Sequence, residues 1–291
     1  VKNVSAMLLS GLSQYVGASI AVGLFVAASG IAVGWGRIFF AALFLLAWRR
    51  PWRYPDKRNA LAFGIALGGM NILFYLAIAR IPIGTAVALE FLGPVILAST
   101  ARTKRSTISV VLVAVGVFLI SWMGLDLAER EVALGFFFAL AAGLCWIAYM
   151  LLGKKVATAD KGIDGLAVAM AGAAIIYSPL ALPELISIRP DGGFWLTLVF
   201  VAVLSSAVPY VIDQFVLRNI PATTFAILNS ILPAMSTVVA FVMLRQLPTT
   251  GELLGLLSIS IAVFVASYRP TARTISRRAD HHPRNSGDSE I

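Results

Sequence analysis

The sequence predicts an all-α integral membrane protein, with ten transmembrane helices arranged as two inverted five-helix repeats. Three observations predict it. Of 291 residues, 59% are hydrophobic and 13% charged, about half the charged fraction of an ordinary soluble domain. The charges gather in short clusters between apolar runs long enough to cross a bilayer. A proline-bounded motif occurs twice, five apolar runs apart.

Apolar runs of about 18 to 25 residues mark the elements in order. Val4 to Ala28 follows Lys2 and outruns a signal-peptide core, so it is read as a helix rather than a leader cleaved after "AASG". Ile31 to Trp48 is closed by "RRPWRYPDKR", and Asn59 to Ala79 ends before Arg80 and Pro82. Ile83 to Ala101 carries Glu90, and Thr107 to Gly124 follows the basic "RTKRS". Val132 to Leu152 holds the only cysteine, Cys145, a packed core residue that excludes an intrachain disulfide. Ile163 to Pro183, Gly193 to Val216, Ile220 to Leu244 and Gly251 to Tyr268 complete the set. Inside lipid the backbone must bond to itself, which makes each run a helix. Residues 269–291 read as a disordered, basic tail.

Lys and Arg number 18 on one side of the alternating loops and 5 on the other. By the positive-inside rule both termini are cytoplasmic, in a bacterial-type inner membrane. The net charge of +9 resides in loops and tail, not on a folded basic face, so nucleic acid is not an expected partner. Trp35, Trp48, Trp52, Trp122 and Trp195 fall near run ends and fit interfacial belts. Gly64 with Gly68, and Gly251 with Gly255, have the spacing of close helix packing.

"RIPIGTAVALEFLGP" and "NIPATTFAILNSILP" both place prolines twelve positions apart, Pro82 to Pro94 and Pro221 to Pro233. At an offset of 139, Thr85 falls on Thr224, Leu89 on Leu228 and Glu90 on Asn229. An odd unit of five helices inverts the second copy, the architecture of secondary transporters. The units are residues 1–128 and 129–268.

A charged side chain at mid-bilayer costs about 2.5 to 3.5 kcal/mol on insertion scales, so intramembrane charges face a partner or a wet cavity. Glu90 lies about 10 Å from the outer end of its helix and Arg37 about 9 Å from the outer end of its own, depths that permit an ion pair. Two readings stand: the pair fixes packing, or both line a cavity in which Arg37 draws a carboxylate and Glu90 meets an ammonium group or carries a proton. Gln14, Asn71 and Asn229 are neutral polar residues within helices that serve either interhelical bonds or substrate. Asp213, five residues before Arg218, is read as a snorkelling group or an inner gate. Both histidines, His281 and His282, are in the tail, and no catalytic motif or phosphate loop is present; no catalytic residue, metal or cofactor is assigned.

"SQYVGASIAVGLF", "GRIFFAALFLLAWRRPWR", "FYLAIARIPIGTAVALEFLGP" and "VPYVIDQFVLRNIPATTFAILNSILPAM" together resemble the EamA-type drug/metabolite transporters, within them the threonine/homoserine exporter branch. The likeness runs from about Ser13 to Tyr268. It implies a central cavity for small amphiphilic metabolites and puts Gln14, Arg37 and Glu90 on motif positions, with Asp213 where the branch has Glu. Tyr75 and Tyr210, inside the quoted stretches, complete the candidate cavity set with Asn71 and Asn229. Val22, Leu232 and "LRQLP" depart from the branch pattern. The function implied is secondary-active export of an amino acid or related metabolite by alternating access, with proton coupling and a homodimer as further expectations. The alternatives are a membrane-embedded enzyme acting on a lipid-linked substrate and a non-transporting scaffold.

Overall fold

The computed structural model describes residues 2–99, 104–119, 125–159, 161–222, 225, 228–229 and 232–267. The tail 269–291 with both histidines, part of the "RTKRS" loop, and Trp122, Asp160, Thr224 and Tyr268 lie outside the described residues. Regular structure among the described residues is helical throughout. The helices are α1 (Lys2–Val22, continued by a 3-10 turn, Gly23–Val26), α2 (Gly30–Arg49), α3 (Lys57–Ile78), α4 (Ile83–Glu90), α5 (Leu92–Ser99) and α6 (Lys104–Leu119). They continue as α7 (Arg130–Thr158), α8 (Gly162–Ile188), α9 (Gly192–Ala202), α10 (Val208–Asn219), α11 (Leu232–Leu244) and α12 (Thr250–Ser267).

Six stretches are long and apolar enough to cross a membrane, and four shorter apolar helices accompany them, among the described residues. Together they occupy the ten predicted runs in order. The bundle turns large apolar side chains outward, including Phe44, Phe137, Ile175, Leu196 and Phe200. A water-soluble fold would not carry so many, whereas lipid accepts them at no cost.

Polar side chains fix several ends. Ser29 caps α2 by accepting from Ala32 N–H at 3.3 Å, and Asp191 caps α9 by accepting from Phe194 N–H at 2.8 Å. Thr249 and Glu252 form a capping box at the start of α12, with reciprocal bonds of 2.8 and 3.2 Å. The second oxygen of Glu252 accepts the Thr85 hydroxyl at 2.5 Å, which ties α12 to α4.

Two interruptions shape the middle of the bundle. The fourth run breaks at Phe91, between α4 and α5. Pro94 has no N–H to give the Glu90 carbonyl one turn earlier, so that helical bond is missing. A Cβ built on Gly143 of α7 would sit 2.5 Å from the Glu90 carbonyl oxygen, and one on Gly93 would sit 1.9 Å from the Gly143 carbonyl. Glycine Cα–H bonds therefore point at both oxygens, and α7 packs backbone to backbone on the break.

The eighth run contains a π turn, Val203–Ala207, between α9 and α10. Pro209 follows it and has no N–H for Leu204 or Ser205, the carbonyls one π or one α turn back. Side chains from the first half of the chain meet both: Ser13 donates to the Leu204 carbonyl at 2.6 Å, and Arg37 donates to the Ser205 carbonyl. Irregular backbone at this depth is tolerated because protein donors replace the lost helical ones.

α2 lies along α8 and is tied to it at three levels. Arg49 pairs with Asp164 at 2.7 Å at one end, and Glu184 accepts Ser29 N–H at 2.6 Å, together with its hydroxyl, at the other. Between them the Trp35 indole N–H donates to the Ala174 carbonyl at 2.7 Å. Trp35 is thus a buried interhelical residue, not part of an interfacial belt; its donor is satisfied inside the bundle. Trp48 and Trp52 are exposed. Gly64 packs on the Ala169 carbonyl of α8, and Gly116 of α6 on the Gly255 carbonyl of α12. Cys145 is partly buried against the core.

Candidate functional site

A cavity opens among α1, α3, α4, α7, α10 and the start of α11. α1 gives it Met7, Ser10, Gln14 and Tyr15, whose spacing of three, four and one places them on one helical face. Met70 comes from α3, Glu90 from α4, Trp146 and Tyr149 from α7, Tyr210 and Asp213 from α10, with Asn229 and Leu232 closing the wall. Both halves of the chain contribute.

The two acids have different surroundings. Asp213 accepts the Ser10 hydroxyl at 2.9 Å and the Tyr149 hydroxyl at 3.1 Å. Buried and held by two donors, it does not snorkel to the surface. Glu90 is buried at the helix break and has no hydrogen-bond or ion-pair partner among the described residues. Asn229, also buried on the wall, has an unpartnered Oδ1.

Arg37 lies one layer behind. Its side chain is 1% exposed; Nε donates to the Ser206 hydroxyl at 2.7 Å, and one terminal nitrogen donates to the Ser205 carbonyl and, at 3.3 Å, to the Tyr210 hydroxyl. The guanidinium stands 4.7 Å from the centre of the Tyr75 ring. Tyr210 in turn donates to Asn71 Oδ1 at 2.7 Å, and Asn71 Nδ2 donates to the Leu67 carbonyl at 2.6 Å. Tyr210 is the link between this network and the cavity.

The structure therefore puts Gln14, Glu90, Tyr210, Asp213 and Asn229 on the wall, and Arg37, Asn71 and Tyr75 in the layer behind it. The ion pair that the matched depths permit is not made. The π turn supplies Arg37 with acceptors from Ser205 and Ser206, and the guanidinium turns to them instead of to Glu90. Sequence reasoning missed Ser10, Tyr149 and Trp146. Ser10 stands four residues before Gln14, on the same face of α1, and that spacing was the available signal.

Three comparisons bear on the chain as a whole. The model of the EamA-like transporter family matches residues 133–268. The threonine/homoserine exporter RhtA of Salmonella typhimurium LT2 is 35% identical over 266 residues, 88% of each chain. That of Escherichia coli K12 is 35% identical over 250 residues, 82% of each chain. A crystal structure 18% identical to this chain superposes with a TM-score of 0.59 over 90% of this chain and 97% of the other, a likeness of fold alone. These relatives are exporters rather than enzymes, and the chain is a multi-pass membrane protein of their kind. It belongs to the EamA-like transporter family, in the branch of the threonine/homoserine exporters.

Proposed function

We infer that the protein is a secondary-active exporter of an amino acid or a related small metabolite, working by alternating access of two inverted repeats, residues 1–128 and 129–268. The observation that carries this reading is the cavity itself. Both halves build it, it holds two acids with unequal surroundings, and the relatives with such a chain export threonine and homoserine. Glu90, without a donor among the described residues, is the group left to meet a substrate ammonium or to exchange it for a proton. An unpaired carboxylate in lipid is costly, so one of these has to accompany it. Gln14 and Asn229 offer neutral amide donors to a substrate carboxylate.

The inverted relation of the repeats has support in the hydrogen bonds. Asn71 bonds Tyr210, and Trp35 bonds Ala174; each pair is 139 residues apart, the offset that aligns the two proline motifs. Side chains on a two-fold axis meet their own counterparts. The packing agrees: α3 against α7 is matched by α10 against α1, and α2 with α8 and α6 with α12 are self-paired. The reading places the chain in a bacterial-type inner membrane with both termini cytoplasmic.

The test is efflux from proteoliposomes loaded with individual amino acids and related amines, with and without a proton gradient. Gradient-sensitive efflux of one class, lost in E90Q, is the expected result. Absence of efflux for all of them, or an R37A/E90A double variant that keeps full cellular function, removes the proposal.

A further inference from the structure

A second pocket, open to the surface, lies where α7 passes into α8 against the end of α10, and is lined by Ala157, Gly162, Ile163, Gln214, Phe215 and Arg218. Gln214 is 2% exposed, and neither Oε1 nor Nε2 of its amide has a hydrogen-bond partner among the described residues. Buried amides are nearly always satisfied, so a wall residue with both ends unpaired points to a polar occupant.

The remaining walls say what kind. Lys161, the N-cap residue of α8, makes no side-chain capping bond, and the first backbone bond runs from Gly165 N–H to the Lys161 carbonyl. The N–H groups of Gly162, Ile163 and Asp164 therefore have no carbonyl from their own helix. At the start of a 27-residue helix they carry the positive end of the dipole, a ready site for an anion. Arg218 stands exposed at the rim with no ion pair among the described residues. Lys154 donates to the Leu217 and Ile220 carbonyls at 2.7 and 3.0 Å, which covers the negative end of α10 and adds a further positive charge. Asp164, the acid on this turn of α8, is engaged by Arg49.

Of the lining residues, Gly162 and Ile163 offer backbone N–H groups, Arg218 and Gln214 Nε2 offer side-chain donors, and Gln214 Oε1 and the Ala157 carbonyl are acceptors beside them. We propose that this pocket binds a phosphate group attached to a hydroxyl-bearing moiety, the chemistry shared by a phosphatidylglycerol headgroup and by free glycerol phosphate. The phosphate oxygens take the helix N–H groups, Arg218 and Gln214 Nε2; the hydroxyl donates to Gln214 Oε1. Basic pockets between transmembrane helices at the membrane surface are where anionic headgroups bind. The site also has a consequence for the central cavity. Gln214 follows Asp213 on α10, so an occupant that fixes one fixes the turn that carries the other.

The test uses the full chain, purified and placed in bilayers of phosphatidylcholine alone, phosphatidylcholine with phosphatidylglycerol, and phosphatidylcholine with glycerol phosphate in solution. Retained ligand is read by native mass spectrometry and stability by thermal unfolding; neither depends on transport. Wild type is expected to retain the phosphate ligand and to unfold at a higher temperature with it. R218A is expected to weaken retention about tenfold or more, the loss of one charge-assisted hydrogen bond. Q214L is expected to lose the ligand yet remain at least as stable as wild type in phosphatidylcholine alone, because it removes two unsatisfied polar atoms. A shift with glycerol phosphate alone supports the site with a soluble ligand; a shift only with phosphatidylglycerol supports it with a lipid. Equal stabilisation of wild type, R218A and Q214L by either ligand, or none of wild type by both, overturns it.

Discussion

Substituting alanine at Gly93 and at Gly143 tests the claim that the helix break at Glu90 is held in place by α7. The new Cβ would lie 1.9 Å from the Gly143 carbonyl in G93A and 2.5 Å from the Glu90 carbonyl in G143A, whereas real Cβ contacts essentially never fall below 3.0 Å. Relief therefore needs a displacement of about 1.1 Å in the first case and about 0.5 Å in the second, and both obstacles are backbone rather than a side chain that can swing away. Overpacking of this kind costs about 1–3 kcal/mol, with G93A toward the upper end. Misplacing a site group by about 1 Å can cost about a hundredfold in rate. Efflux from proteoliposomes and thermal unfolding in detergent, measured side by side, should rank wild type above G143A and G143A above G93A in both. A G93A protein with wild-type stability and wild-type efflux would refute the reasoning, since the α4–α5 break would then be free to move without consequence.

Three further outcomes follow from single contacts. Y149F removes one of the two hydroxyls that hold Asp213, a charge-assisted bond of about 1.5–3 kcal/mol; the KM for efflux should change about tenfold or more, and an unchanged KM means Asp213 does not meet substrate. R37K cannot reproduce a guanidinium that bonds Ser206, Ser205 and Tyr210 at once. It should cost about 3 kcal/mol, and equal unfolding curves would show that the π turn does not need it. Asp56 accepts from the Asn59 N–H at 3.2 Å and from its side-chain amide at 2.7 Å, and these bonds hold its carboxyl below the ordinary value. The contribution is present above the unfolded-chain value of about 3.9 and is lost as pH falls through the lower folded one. The protection of the Asn59 amide, its exchange rate relative to the intrinsic rate at the same pH, should therefore fall below about pH 4 in wild type; the same loss of protection in D56A would exclude this cap as its cause.

The ten runs were legible because lipid leaves the backbone one solution, so an apolar stretch of sufficient length already names its structure. Positions within a run were less so. Depth follows from counting residues, and it placed Glu90 and Arg37 at the same level; rotation about each helix axis, which decides contact, does not follow from counting. The acceptors that Arg37 meets include a backbone carbonyl deprived of its helical donor by Pro209. A search over side-chain charges cannot see such an acceptor, although the proline that frees it is plain in "SSAVPY". Pro94 was equally visible, yet whether a proline kinks a helix or breaks it depends on what packs there, here Gly143. Ser10 and Tyr149 matter only because α1 and α7 bring them to one carboxylate, a fact of tertiary packing.

The cavity itself is less symmetric than the proposed pair of repeats. At the offset of 139, Glu90 in the first half stands opposite Asn229 in the second, and Asp213 in the second stands opposite Phe74 in the first. Each half thus contributes one acid, from positions that the offset does not align, while Asn71 and Tyr210, which it does align, meet behind the wall. The contact around Glu90 differs between halves as well: Gly93 lets α7 reach the backbone, and Leu232, its counterpart, instead lies over Gly11 of α1 with side-chain atoms. A side chain can yield where a backbone contact cannot. If the halves exchange conformations during transport, the backbone contact beside Glu90 has to persist or break as a unit, while the contact beside Asn229 adjusts by rotamer. The unpartnered acid accordingly belongs to the stiffer half of the site, and Asn229 to the half that can rearrange around a substrate.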